Sequence, residues 1–191
     1  MPNLERIFVV PSSDYLCSAR FSDTAYEDDE EGELRRHIRY WQDPGYLTDF
    51  YENHKHDLRE DFYDHIDFLS FLDGTETALA DLVQRIDRAV RANRPDALDA
   101  LFRPLDNRQT ERDRYQSLKA RSYEPEGWLR LYALRTLDDA YIITGGAIKF
   151  THRMDRPHLQ VELDKMAECR RVLSRYIRTN NFYSLDALIS T

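Results

Sequence analysis

The stretch Gly127–Phe150, Gly-Trp-Leu-Arg-Leu-Tyr-Ala-Leu-Arg-Thr-Leu-Asp-Asp-Ala-Tyr-Ile-Ile-Thr-Gly-Gly-Ala-Ile-Lys-Phe, decides how the rest of the chain is read. Two runs rich in β-branched and aromatic residues flank a short acidic pair, which is the pattern of a β-hairpin. Alternation puts Leu129, Leu131 and Ala133 on one side of the first strand and Arg130 and Tyr132 on the other. With Asp138 and Asp139 as the two turn residues, Arg130 lies opposite Ala147 and Tyr132 opposite Gly145, and Lys149 shares their face. That register depends on loop length, because a slip of one residue sends Lys149 to the other side. Gly145-Gly146 inside a strand marks a bulge or a close approach of backbone.

Working outward, Tyr115–Tyr123 reads as a third strand, with Lys119 and Arg121 on one face, pairing with the hairpin across the turn at 124–127. Beyond Phe150, Asp155 is a natural N-cap and Pro157 a first-turn residue, opening a long helix to about Thr179 with Leu159, Leu163, Met166, Leu173 and Ile177 toward the sheet. Upstream the chain reads mainly as helix: 34–41, 46–58, 62–72 with a break at Asp73-Gly74, and 76–92, whose stripe is Leu79, Leu82, Val83, Ile86, Ala89 and Val90. Trp41, Tyr46 and Phe50 belong to a core. His54 and His56 diverge on a helix and read as surface residues, not a metal pair. Residues 6–10 and 15–21 suggest a second, short hairpin. The expectation is an α+β protein: an antiparallel meander of three or more strands on a long C-terminal helix, preceded by a mostly helical half. Residues 1–97 form an acidic extension and 98–191 the sheet-and-helix region of one unit.

With 191 residues, 41% of them hydrophobic, the chain can bury a proper core. It has no apolar run near the ~20 residues of a membrane span and no signal-peptide pattern at its start, so a cytoplasmic protein without a membrane partner is expected. Cys17 and Cys169 lack metal or redox spacing and read as free buried thiols. The net charge of −8 is unevenly spread: residues 1–99 carry 11 Lys and Arg against 23 Asp and Glu, and residues 100–191 carry 16 against 12. An anionic ligand therefore belongs to the C-terminal half. The acidic run 27–33 reads as solvated. No Gly-rich phosphate loop, Ser-His-Asp order or zinc cluster stands out, so no metal or cofactor is expected.

The order basic strand, Leu-Arg-Leu-Tyr-Ala-Leu-Arg strand, tight turn, strand ending in Ala-Ile-Lys-Phe-Thr, then a Pro-His-x-x-x-Glu-Leu helix, resembles the bacterial RelE/ParE toxin superfamily, and within it the HigB branch. The resemblance covers roughly Leu98 to Ile177. Members of that family are usually half this length and basic, and a Lys-Lys pair is expected where Lys149-Phe150 stands. The resemblance implies a metal-free endoribonuclease that cuts messenger RNA on the ribosome, and a cognate antitoxin of helix-turn-helix type as partner. It makes Arg130 or Arg135 the strand arginine and Lys149 the end-of-strand cation, with Tyr132, His152, Arg153 and His158 as acid, base or stacking candidates.

Such cleavage needs a base near the 2′-hydroxyl, cations around the phosphate and an acid for the leaving oxygen. The expected roles are Lys149 or His152 as base, Arg130 and Arg153 on the phosphate and Tyr132 against a nucleobase. Lys119, Arg121, Arg135 and His158 would extend RNA binding. The alternative from a different class is a non-catalytic interaction protein whose acidic N-terminal half docks or masks a basic partner surface.

Overall fold

Six strands make a single sheet in a computed structural model that describes residues 1–59, 66–105, 115–121 and 127–180. The strands are β1 (Leu4–Val9), β2 (Leu16–Phe21), β3 (Arg103–Pro104), β4 (Gln116–Arg121), β5 (Leu129–Arg135) and β6 (Tyr141–Ile148). Their order is β1-β2-β6-β5-β4-β3, and the β2–β6 pair is parallel while the other pairs are antiparallel.

This corrects the expectation of a purely antiparallel meander behind a mostly helical half. The N-terminal hairpin is not an appendage: β2 joins β6 through Leu16–Tyr141, Cys17–Ile142 and Ser18–Ile143. All but Arg20 of the β2 residues are buried, as befits a strand covered on both faces.

Helices α1 (Glu33–Gln42), α2 (Pro44–His54), α3 (Phe68–Ala92) and α4 (Pro95–Leu101) pack on one face of the sheet. Their Leu34, Trp41, Phe50, Phe71, Leu82 and Leu98 meet Leu118, Leu129, Leu131 and Ile143. The long α5 (Pro157–Asn180) covers part of the other face, where Leu159, Met166, Cys169 and Leu173 meet Cys17, Phe21, Tyr132 and Ile142. Layers of helix, sheet and helix bury both surfaces of the central strands. Helix α3 runs straight through Asp73-Gly74, where a break was expected, because Gly74 and Thr75 are buried in it and Asp67 caps its start through the Ser70 amide. Of the expected 62–72 helix, residues 62–65 lie outside the described residues; so does much of the 103–114 loop.

The key hairpin reaches its anticipated pairing by another route. The loop holds three residues, Leu137–Asp139, closed by Thr136 N–H to the Ala140 carbonyl at 2.9 Å, with Asp139 left-handed at φ 59°. That geometry pairs Ala133 with Ile143 and Arg135 with Tyr141. A bulge at Thr144 then shifts the register, so that Tyr132 faces Gly145 and Arg130 faces Ala147. The longer loop and the bulge cancel, and the Arg130 side chain stays on the Tyr132 face.

Candidate functional site

Among the described residues, helix α5 leaves the β3–β4–β5 end of its face uncovered, and a groove of about 580 Å³ opens there. Six cationic side chains among the described residues line it, Arg85, Arg103, Lys119, Arg121, Arg130 and Lys149, together with His152 and Tyr132. No Asp or Glu lines it among the described residues. Arg121 stands directly opposite Arg130 across β4 and β5, and Lys119 opposite Tyr132. Like charges facing each other on adjacent strands cost stability, so such a pair needs another reason to persist.

Backbone carbonyls fix the cations in place. Arg130 donates to the carbonyls of Gly127 and Leu129, and Lys149 donates to those of Thr151 and His152. Lys119 reaches the Leu105 carbonyl at 3.4 Å, and Arg85 the Arg121 carbonyl at 2.7 Å. Those two carbonyls hold the Lys149 amine at the groove wall as a hydrogen-bond donor.

The remaining expected residues are dispersed. Tyr132 is buried, its hydroxyl 3.5 Å from the Met154 sulfur, and burial pushes its phenol pKa up, so it is groove floor and offers no exposed stacking face. Arg135 lies at the hairpin turn, paired with Asp99 at 2.9 Å and Asp139 at 2.7 Å. Arg153 is exposed and lies outside the groove lining, and His158 lines a different cavity.

That second cavity, about 640 Å³, sits at the free edge of β6. Ser18 accepts the Leu34 amide at 2.9 Å, which lodges the start of α1 against β2 and places Glu33 where an anion suits the helix dipole. Beyond Ile143, β6 has no β2 partner, and its edge is capped by side chains from α5: Glu162 accepts the Gly146 amide at 3.0 Å, and the His158 Nε2 meets the Ile148 carbonyl at 3.2 Å.

Glu33, Arg36, His37, Glu162 and Lys165 form a buried ion cluster at this point. The Glu33 carboxylate accepts from Tyr26 at 2.6 Å, Arg36 at 2.7 Å and Lys165 at 2.9 Å, and lies 3.1 Å from His37 Nε2. Burial works to raise its pKa, but the His37 contact and the Arg36 and Lys165 charges outweigh it and hold Glu33 well below the usual carboxylate range. Burial lowers the His37 pKa to about 4, and the imidazole is neutral. Burial, with the Glu33 charge beside it, raises Glu162 to about 7.

Glu33, His37 and Glu162 bring potential ligand atoms within 4.8 Å of one another. Lys165 Nζ already lies 2.9 Å from Glu33 and 3.2 Å from Glu162, so the chain's own ammonium takes the place a metal ion would have between them.

Sequence reasoning missed this cluster and placed Glu31 and Glu33 in solvent, whereas both are buried; Arg39 holds Glu31. The available signals were Gly145-Gly146 and the three-residue spacings Glu33–Arg36 and Glu162–Lys165, each of which puts opposite charges on one helix face. Cys17 and Cys169 are buried and not disulfide-bonded, and among the described residues no helix is long and apolar enough to cross a membrane. Comparison with protein-family models, curated proteins and solved structures finds no match.

Proposed function

We propose that the protein is a RelE/HigB-like endoribonuclease whose basic groove seats a single-stranded stretch of messenger RNA. The observation that carries the reading is the cross-strand pair Arg121–Arg130 in a groove lined by six cations. Two arginines set opposite each other on neighbouring strands suit an anionic ligand, and a backbone phosphate is such a ligand.

In this reading Arg121 and Arg130 hold the scissile phosphate and Lys149 offsets the charge that grows on it. His152, exposed and lining the groove, accepts the 2′-hydroxyl proton as O2′ attacks phosphorus and the P–O5′ bond breaks, and solvent water protonates the departing O5′. The products end in a 2′,3′-cyclic phosphate and a 5′-hydroxyl. The ribosome-bound message and a helix-turn-helix antitoxin are the partners this reading brings with it.

The alternative of an acidic half masking the basic surface has less support. Helices α1–α4 pack on the opposite face of the sheet, and among the described residues of the N-terminal 97 only Arg85 lines the groove.

The test is induction in bacteria of the wild type and of the Arg130→Ala and His152→Ala variants. Wild type should arrest growth and leave cut transcripts ending in cyclic phosphate, and both variants should relieve the arrest. A wild type that leaves growth and transcripts untouched ends the nuclease reading.

A further inference from the structure

The basic groove holds a second like-charge pair besides Arg121 and Arg130. Arg103 on β3 stands opposite Lys119 on β4, just as Arg121 on β4 stands opposite Arg130 on β5. Directly opposed residues on neighbouring strands point to the same side of a sheet, and all four side chains line the groove. Lys119 and Arg121 are two residues apart on one strand, so the two pairs share a face and lie about 7 Å apart along it.

The second pair is open to a ligand. Arg103 is exposed and, among the described residues, has no hydrogen-bond or ion-pair partner. Lys119 is half-buried and reaches the Leu105 carbonyl at 3.4 Å. Like charges set opposite each other cost stability, and here the cost recurs on two adjacent strand pairs within one groove. The floor selects what joins the two positions. Leu105, Met154 and Leu163, all half-buried, line the groove beside Tyr132. Two separate small anions would leave this apolar floor against water, whereas a sugar and base that link two phosphates cover it. We infer that Arg103 and Lys119 seat a second backbone phosphate, next along the strand to the one at Arg121 and Arg130. This rests on the RNA reading of the groove and deepens it: the ligand is a chain of at least three nucleotides, and a dinucleotide fills one seat of two.

The experiment is calorimetric titration of the full chain at low salt with 2′-deoxy oligonucleotides, which cannot be cut: a dinucleotide, a trinucleotide and a tetranucleotide, carrying one, two and three phosphates. Wild type should bind the trinucleotide about tenfold more tightly than the dinucleotide, the worth of one hydrogen-bonded charge contact, with a smaller step to the tetranucleotide. The log–log salt slope should steepen by about 0.7 over the same step, one further counterion released. Arg103→Ala should cut the tenfold step to about threefold or less. Lys119→Gln, which keeps a donor for the Leu105 carbonyl, should do the same. Arg88→Ala removes an exposed cation outside the groove lining and should leave the step intact. Equal affinity of wild type for dinucleotide and trinucleotide overturns the second seat while the first still stands. A step that survives in both folded groove variants, or that Arg88→Ala reduces equally, overturns it too. Failure of wild type to bind any of the three lengths ends the second seat and the RNA reading together.

Discussion

Glu162 fills the space that a side chain at position 145 would take: a Cβ on Gly145 would overlap its Oε2 and come within 2.9 Å of its Cδ. The glycine is thus required by a neighbour 17 residues later, not by backbone torsion, since no described glycine has positive φ. Gly145→Ala must push out a carboxyl that holds the Gly146 amide and Lys165.

The expected cost of Gly145→Ala is about 1–3 kcal/mol, the range for leaving a buried polar partner unsatisfied. Urea unfolding measures it. Combined with Glu162→Ala, the double variant should lose less than the two single losses added together, because the clash is gone. Strict additivity would show that the two residues do not meet.

The stability of the cluster should depend on pH through Glu162. Its pKa is raised to about 7 by burial and by Glu33, against an ordinary carboxyl value of about 4.3 in the unfolded chain. The folded state therefore holds the proton more tightly, and stability is lost as pH rises through that window, by at most about 4 kcal/mol. Glu162→Gln, shaped like the protonated acid and facing the same Glu33, Arg36, His37 and Lys165, escapes that loss. Its melting temperature relative to wild type should climb between about pH 5 and pH 8; parallel profiles for the two proteins would refute the assignment.

Arg121→Ala should leave stability unchanged or raise it slightly. The side chain is exposed and faces Arg130, and the carbonyl that Arg85 uses belongs to the backbone and survives the change. Relief of a like-charge cross-strand pair is worth roughly 0.2–1 kcal/mol. A marked fall in melting temperature would mean that the pair is structural and would remove the reason for reading it as an anion site.

Trp128 donates to Thr75 Oγ1 at 3.0 Å across the interface between the start of β5 and α3. Thr75→Val keeps the shape and removes this acceptor from the buried indole N–H. A loss of about 1–3 kcal/mol is expected in chemical denaturation. A neutral Thr75→Val would show that the hydrogen bond is not what ties α3 to the hairpin.

Local signals carried the hairpin and the long last helix. The alternation of Leu129, Arg130, Leu131 and Tyr132 fixed which side chains share a face, and Asp155 and Pro157 marked where α5 begins. The Lys119, Arg121 and Arg130 grouping was legible because neighbouring strands in a meander pair locally.

The parallel β2–β6 pair was not legible. It joins residues more than a hundred positions apart, and nothing in Leu16–Phe21 specifies a partner that far away. Without it β1 and β2 read as a separate hairpin. The same long range hid the ion cluster, since Glu33 is buried by Lys165, 132 positions later, and an acidic run in isolation is always better solvated. Tyr132 was misjudged for a related reason: a strand's outward face becomes a core face wherever α5 lies over it.

The central claim is that the Arg121–Arg130 groove holds an RNA backbone, and fluorescence anisotropy of a labelled single-stranded RNA against salt concentration tests it most directly. Wild type should bind with an affinity that falls steadily as salt rises. The Arg121→Ala/Arg130→Ala variant should bind more weakly, its log–log salt slope shallower by about 1.4, the release of two counterions on a single strand. Equal affinity and equal slope for the two proteins, or no binding by wild type at low salt, would contradict the account.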